Sequence, residues 1–328
     1  MFRSSRAVRS KGMPFTDLFD GDHLTVIDGG LSTQLERRGH DVSGNLWTAR
    51  LLLESPGDVQ GAHEDMIRAG AEVITTASYQ ISRAGFIEAG FSASDADQAL
   101  RASIEVARAA AFAADRAVLV AASVGPYGAI THDGREYQGR YGISMQELTE
   151  FHAQRLRLLI DAGADLLAIE TIPDVDELHA IIAALQALPA IPAWISVTAS
   201  SGSELWAGQS IEDAAALVDA AATNADAPLP IFAFGVNCTD PHFVEELLTR
   251  ARSVTDLPLL AYANAGGSWA DDEWQGADAA GQAFSDELVR RWIAAGVQVI
   301  GGCCGSDARD IARIRSLADA FHDESPIA

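Results

Sequence analysis

The stretch DLLAIETIPDVDEL, residues 165–178, holds one unit of the fold in miniature. DLLAIE (165–170) is a short, almost unbroken apolar run, as a strand buried on both faces requires. It ends on the polar pair Glu170-Thr171. Then Asp174, following Pro173, offers a helix N-cap ahead of an apolar-periodic run over 174–187. The same unit recurs on either side. Upstream strand candidates are 24–28, 72–76 and 118–124; downstream ones are 193–197, 231–237, 258–264 and 297–302. Helical periodicity fills 57–69, 94–114, 145–162, 211–223, 241–252, 282–295 and 306–321, the last with Ser306 as its expected cap. Eight strands, each followed by a helix, predict an α/β protein of the (β/α)8 TIM-barrel type, a single domain over 19–328. A doubly wound open sheet shares the alternation, and the strand count alone does not separate the two. Three irregular insertions, 29–56, 125–144 and 264–281, leave the C-terminal ends of strands, where barrels build their sites.

Bulk composition narrows the function. The net charge of −23 repels phosphate backbones and anionic lipid, so neither nucleic acid nor a membrane surface is an expected partner. No apolar run reaches the roughly 18 residues of a membrane span. Residues 1–12 carry Arg3, Arg6, Arg9 and Lys11 without an acid, but they are short for a transit peptide and lack a signal-peptide core. Residues 1–18 are expected to be a disordered extension and the protein to be cytoplasmic. The three cysteines are an odd number and do not suggest a disulfide framework.

The strand ends collect the unusual residues. Asp28-Gly29-Gly30 closes the first strand, Ser123 to Pro126 the third, Glu170-Thr171 the fourth, Asn237-Cys238 the sixth, Asn264 to Gly267 the seventh, and Gly301 to Gly305 the eighth. Cys303 lies 65 residues after Cys238, which is no finger or ribbon spacing. In a barrel, however, the sixth and eighth strands are separated by a single strand, and the glycines beside Cys303-Cys304 permit a turn that aims both thiols one way. Three thiolates and an open fourth position would suit catalytic zinc. Three unrelated buried thiols fit the spacing as well.

The GVNC around Cys238 (235–238) and the GGCCG around Cys303 and Cys304 (301–305) resemble the paired zinc motifs of the homocysteine S-methyltransferase family. DGGLSTQLERRG (28–39), LWTARLL (46–52), SVGPYGA (123–129), ETIPDVDEL (170–178) and YANAGG (262–267) match in the same order, over roughly 22–320. The match is closer to the branch that uses S-methylmethionine or S-adenosylmethionine than to the betaine-using branch. Ser306 stands where the family usually has threonine.

The resemblance implies a zinc-dependent barrel in which Cys238, Cys303 and Cys304 hold Zn2+ and homocysteine sulfur takes the fourth position. The thiol, largely protonated near neutrality, would be deprotonated by the metal and attack a sulfonium methyl group. Asp28 and Glu170 match the positions that hold the substrate ammonium. Backbone N–H groups of Gly29, Gly30, Ser123 or Gly125 would suit its carboxylate. Asn237 would orient the cysteine loop or the substrate. Trp47 and Tyr79 are the aromatic candidates for the sulfonium donor. His40, His63, His132, His152 and His179 show no ligand spacing and read as surface or capping residues. A selenocysteine or selenohomocysteine acceptor, a lyase or hydrolase using Asp28 and Glu170, and a non-enzymatic metal-binding protein are the rival readings.

Overall fold

The computed structural model describes residues 23–42, 46–130, 134–266, 268–270, 273–275 and 284–324. Eight parallel strands form one sheet: β1 (Thr25–Val26), β2 (Val73–Thr75), β3 (Leu119–Val124), β4 (Leu166–Ile172), β5 (Ala193–Val197), β6 (Ile231–Asn237), β7 (Leu259–Ala263) and β8 (Val297–Gly302). Neighbours follow chain order from β2 to β8, and β8 pairs with β1. A parallel bridge between Ile27 and Val73, with the Asp28 amide donating to the Val73 carbonyl at 3.1 Å, joins β1 to β2. This closes the ring, so the sheet is a barrel and not a doubly wound open sheet.

The pleat divides each strand between two apolar layers. One row, including Ile27, Leu119, Ala121, Leu166, Ala168, Trp194, Leu260 and Val299, fills the barrel interior. The alternate residues, such as Val120, Ile169, Ile195, Phe234 and Ile300, pack outward against the helices. Both faces are dry, which is why the strands read as continuous apolar runs.

The helices are α1 (Leu31–Arg37), α2 (Trp47–Glu54), α3 (Pro56–Arg68), α4 (Arg83–Glu88), α5 (Ala93–Ala113), α6 (Met145–Asp161), α7 (Val175–Gln186), α8 (Ile211–Thr223), α9 (Val244–Arg252), α10 (Asp286–Ala294) and α11 (Ala308–Glu324). Asp174 caps α7 as its position predicts, accepting from the Asp176 amide at 3.0 Å. Three short helices were not legible as such. α1 and α2 occupy the insertion read as irregular, and α4 follows β2. The Ser306 expectation is also corrected. Asp307 accepts from the Arg309 amide at 2.7 Å as α11 begins, while Ser306 is drawn into the site. The proposed 1–18 extension lies outside the described residues.

Two histidines read as surface residues are fully buried. His152 Nε2 meets Glu177 Oε1 at 2.9 Å beneath the loop after β3. His63 of α3 has no hydrogen-bond partner at either ring nitrogen among the described residues, and burial lowers its pKa from 6.5 to about 4. An unfolded chain therefore binds a proton near pH 6.5 that the native state refuses until about pH 4, so stability is lost as pH falls through that window. Relative to wild type, His63→Leu is expected to gain about 3 kcal/mol between neutral pH and pH near 4. Urea unfolding at both pH values checks this; a parallel pH dependence in the two proteins would refute it. His179 is exposed as expected, and His40, at 3.5 Å from Asp58, is half-buried. His132 lies outside the described residues.

Candidate active site

The C-terminal ends of the strands converge on one cleft. Cys238 follows β6, and Cys303 and Cys304 follow β8. Their three Sγ atoms all lie within 4.8 Å of one another, with Cys238 and Cys304 at 3.3 Å. Free thiols at this spacing are too far apart for a disulfide bond, whose S–S length is about 2.05 Å. They suit one ion, because tetrahedral ligands at about 2.3 Å stand roughly 3.8 Å apart. Backbone geometry makes the convergence. Cys238 adopts a left-handed φ of 47°, and the turn after Cys304 uses Gly305 at φ 80°. The Cys238 amide donates to the Tyr262 carbonyl, the Cys303 amide to Ala263, and the Ala265 amide to Cys304, so β7 holds both segments.

The three thiols perturb one another's ionisation. Hydrogen bonds from the Cys303 and Cys304 thiols pull Cys238 well below the usual thiol range. Those bonds and the charge they support push Cys303 and Cys304 well above it. Three converging sulfurs with no cationic side chain among the described residues lining the cleft are a donor set fitted to a thiophilic divalent metal.

Asn237 braces this cluster. Its Oδ1 accepts from the Thr171 amide at 2.6 Å and from Ser196 Oγ at 2.8 Å. Its Nδ2 donates to Thr171 Oγ1 at 2.7 Å and faces Cys303 Sγ at 3.8 Å. Thr171 sits at φ 61°, a conformation a β-branched residue rarely takes, and the Asn237 amide holds it there.

Two acids lie on the floor of the cleft. Asp28 accepts from the Thr75 amide at 2.8 Å and from its hydroxyl at 3.1 Å. Burial raises its pKa well above the carboxylate range, and the Glu170 charge adds to that. Glu170 accepts from the Ser123 hydroxyl and from Tyr262, yet burial still raises it to about 7. Tyr262 reaches back to Ser196 at 2.5 Å and to Trp194 Nε1 at 3.1 Å, linking the floor to the barrel interior.

Other expectations fare unevenly. Gly29, Gly30, Ser123 and Tyr79 line the cleft. The amides of Gly30, Ser123 and Gly125 are already donated, to Ser306 Oγ, Thr76 Oγ1 and the Tyr79 carbonyl. Three of the four donors expected for a substrate carboxylate are thus engaged, because these loops must satisfy one another where they meet. Ser123 instead serves Glu170 through its hydroxyl. Ser306, no longer a cap, ties Gly30 to Cys303 by donating to the Cys303 carbonyl at 2.7 Å. Trp47 opens α2, and its side chain lies outside the described residues.

Sequence reasoning missed Glu136, Tyr137 and Glu177, and noted Thr171 at its strand end without a role. Tyr137 OH stands 3.2 Å from Cys238 Sγ. Glu177 accepts from the Tyr127 amide at 2.6 Å, Tyr141 OH at 3.0 Å and His152, fixing the loop that carries Tyr137. Thr171 and Glu177 lay within the matched ETIPDVDEL motif; Glu136 and Tyr137 had no signal beyond their loop positions.

The model of the family described as homocysteine S-methyltransferase matches residues 25–318. The chain belongs to that family. It is 39% identical to homocysteine S-methyltransferase 4 of Zea mays, over 92% of this chain and 91% of that one. It is 37% identical to selenocysteine Se-methyltransferase of Brassica oleracea, over 85% and 84%. Its fold matches the homocysteine methyltransferase MmuM of Escherichia coli in its metallated form, with a TM-score of 0.80 and 36% identity, over 92% of this chain and 98% of that one. The protein is therefore a methyltransferase on a TIM barrel, and the lyase, hydrolase and non-enzymatic readings fall away.

Proposed function

We propose that the protein transfers a methyl group from a sulfonium donor, S-methylmethionine or S-adenosylmethionine, to the thiol of homocysteine, and that Cys238, Cys303 and Cys304 hold the zinc ion this requires. The observation that carries the reading is the junction of three converging thiols with two buried acids in one cleft. When bound, zinc would strip the proton from the substrate thiol and present sulfur as a nucleophile.

The chain supplies the rest. Asp28 and Glu170, ionised together only at a cost when the cleft is empty, take the substrate ammonium and are relieved by it. Asn237 and the Thr171 turn keep the sulfurs in register. Sulfur then attacks the donor methyl carbon. One S–C bond forms, the donor's S–C bond breaks, and its electron pair returns to the donor sulfur, leaving methionine and a neutral thioether. No side chain need act as base in that step. The described residues lining the cleft include no Lys, Arg or His, which suits a cationic donor better than an anionic one. Free thiols at the site suit a reducing compartment, and we place the protein in the cytoplasm on that ground.

The test is methionine formation from homocysteine with each sulfonium donor in turn, with and without a chelator. Product with either donor, lost on chelation and restored by Zn2+, is expected. Turnover that ignores chelation would remove the metal from the reading, and no turnover with either donor would remove the donor class. A selenol acceptor is the second reading, favoured by the selenocysteine Se-methyltransferase relative. Selenocysteine in place of homocysteine in the same assay decides it.

A further inference from the structure

Methyl transfer beside three ligand sulfurs carries a hazard of its own. Ligands at about 2.3 Å in a tetrahedral site stand roughly 3.8 Å apart, so a methyl group aligned on a substrate sulfur lies near cysteine sulfurs that are nucleophiles too. Attack by Cys238 Sγ would form an S–C bond there, break the donor's S–C bond and return that electron pair to the donor sulfur. The chain would then hold S-methylcysteine, a neutral thioether, and the metal site would have one thiolate fewer.

One side chain stands against Cys238. Tyr137 OH is 3.2 Å from its Sγ, and both residues line the cleft. Cys238 is nonetheless only 4% exposed. A phenol keeps its proton at neutral pH, whereas a thiolate that binds a metal has none. In the loaded site the hydroxyl therefore donates and the sulfur accepts. Such a bond occupies a sulfur lone pair and disperses its charge, which makes the sulfur a weaker nucleophile. The contact from Asn237 Nδ2 to Cys303 Sγ is longer, at 3.8 Å.

The hydroxyl is held in place by its loop. Tyr137 lies on the short helical turn Arg135–Tyr137 between β3 and α6. A side chain on Gly128 would meet the Arg135 carbonyl carbon and the Glu136 nitrogen at 2.5 Å, so two segments of this loop pack backbone to backbone. After the turn, Gly139 and Arg140 take left-handed φ values of 69° and 53°. The Arg140 amide donates to Asp174 Oδ2 at 2.8 Å, where α7 begins. The Tyr137 ring stands edge-on to Trp206, with centroids 5.7 Å apart. A donor so fixed keeps its aim while substrates come and go.

We propose that Tyr137 guards Cys238 against methylation by the enzyme's own donor, its hydroxyl holding the ligand sulfur in a hydrogen bond while the substrate sulfur stays free to attack. The assignment rests on the methyl-transfer reading above and adds a residue to it. It gives the tyrosine hydroxyl a task that phenylalanine, with the same ring, lacks.

The test incubates the metal-loaded protein with S-methylmethionine in the absence of homocysteine. Peptide mass reads methylation at each cysteine, and metal release is followed in parallel. Wild type is expected to keep Cys238 unmodified. Tyr137→Phe should gain a methyl group at Cys238 at least about tenfold faster, the scale of one hydrogen bond to a charged group, and release metal in step. Methyl iodide, which needs no donor pocket, should rank the two proteins in the same order, so a variant that has lost its grip on the sulfonium is still read. A Tyr137→Phe protein as resistant to methyl iodide as wild type overturns the assignment, as does one in which Cys303 and Cys304 gain methyl as readily as Cys238. Metal loss without methylation overturns it too, since the hydroxyl would then only brace the site. A wild type that transfers no methyl from either sulfonium donor to homocysteine overturns the methyl-transfer reading instead, and the methyl iodide comparison still decides the hydrogen bond.

Discussion

Cys238→Ser is expected to lose bound metal and methyl transfer together, by at least about a hundredfold in kcat/KM, since even the residues around metal ligands cost ten- to a hundredfold when changed. A serine hydroxyl does not ionise near neutral pH and is a hard oxygen donor, so two sulfurs would remain where three converge within 4.8 Å. The fold should survive. Cys238 is held by its backbone, its amide on the Tyr262 carbonyl at 3.1 Å and its carbonyl accepting from Thr198 Oγ1 at 3.1 Å, and serine retains both bonds. The left-handed φ of 47° is no harder for serine than for cysteine. Metal analysis, thermal unfolding and a methionine assay on the same preparation separate the effects. Metal and turnover persisting in the variant would end the proposed ligand set. Unfolding at a much lower temperature would instead make Cys238 structural.

The second large effect concerns the floor acids and pH. Glu170 is raised to about 7 by burial, so below that pH it holds a proton and cannot pair with an ammonium. Acceptor-side affinity should fall as pH drops through 7 and level off above it. Methionine as a competitive inhibitor reads this cleanly, because it carries the same ammonium and has no thiol to titrate. Its inhibition constant should rise several-fold from pH 8 to pH 6 in wild type. In Glu170→Gln it should be at least about tenfold weaker at pH 8 and nearly flat with pH. A flat wild-type profile, or an unchanged constant in the variant, would remove Glu170 from the ammonium site.

The same shift bears on stability with the opposite sign to that of His63. An unfolded glutamate ionises near 4.5, so the native state binds the extra proton between about 4.5 and 7. That contribution is fully present below the unfolded pKa and disappears as pH rises through 7, about 3 kcal/mol in all. Glu170→Gln should therefore raise the unfolding free energy more at pH 8 than at pH 5, and an ammonium ligand should offset the same cost in wild type.

The barrel was legible because its strands are buried on both faces. AWISV at 193–197, IFAFGVN at 231–237 and VQVIGG at 297–302 are nearly continuous apolar runs, and each coincides with its strand. The site was legible where motif residues end those strands: three cysteines, Asp28, Glu170 and Asn237. α1 escaped notice because seven residues are too few for a periodicity to declare itself. Burial of polar side chains escaped as well. Nothing in the sequence around His63, His152, Glu136 or Glu177 distinguishes a solvated side chain from one enclosed by packing, since enclosure depends on residues far away in the chain.

Local pattern alone thus determined the alternation of strand and helix, the class of fold, and the residues with chemistry to offer. The pairing of β6 and β8 on either side of β7 is what turned a 65-residue separation into sulfurs within 4.8 Å. The raised acids on the floor, and the placing of Glu136 and Tyr137 beside the sulfurs, are products of the strands meeting around one cleft. They arise from burial and from distances between segments remote in the chain, which no short window of sequence contains.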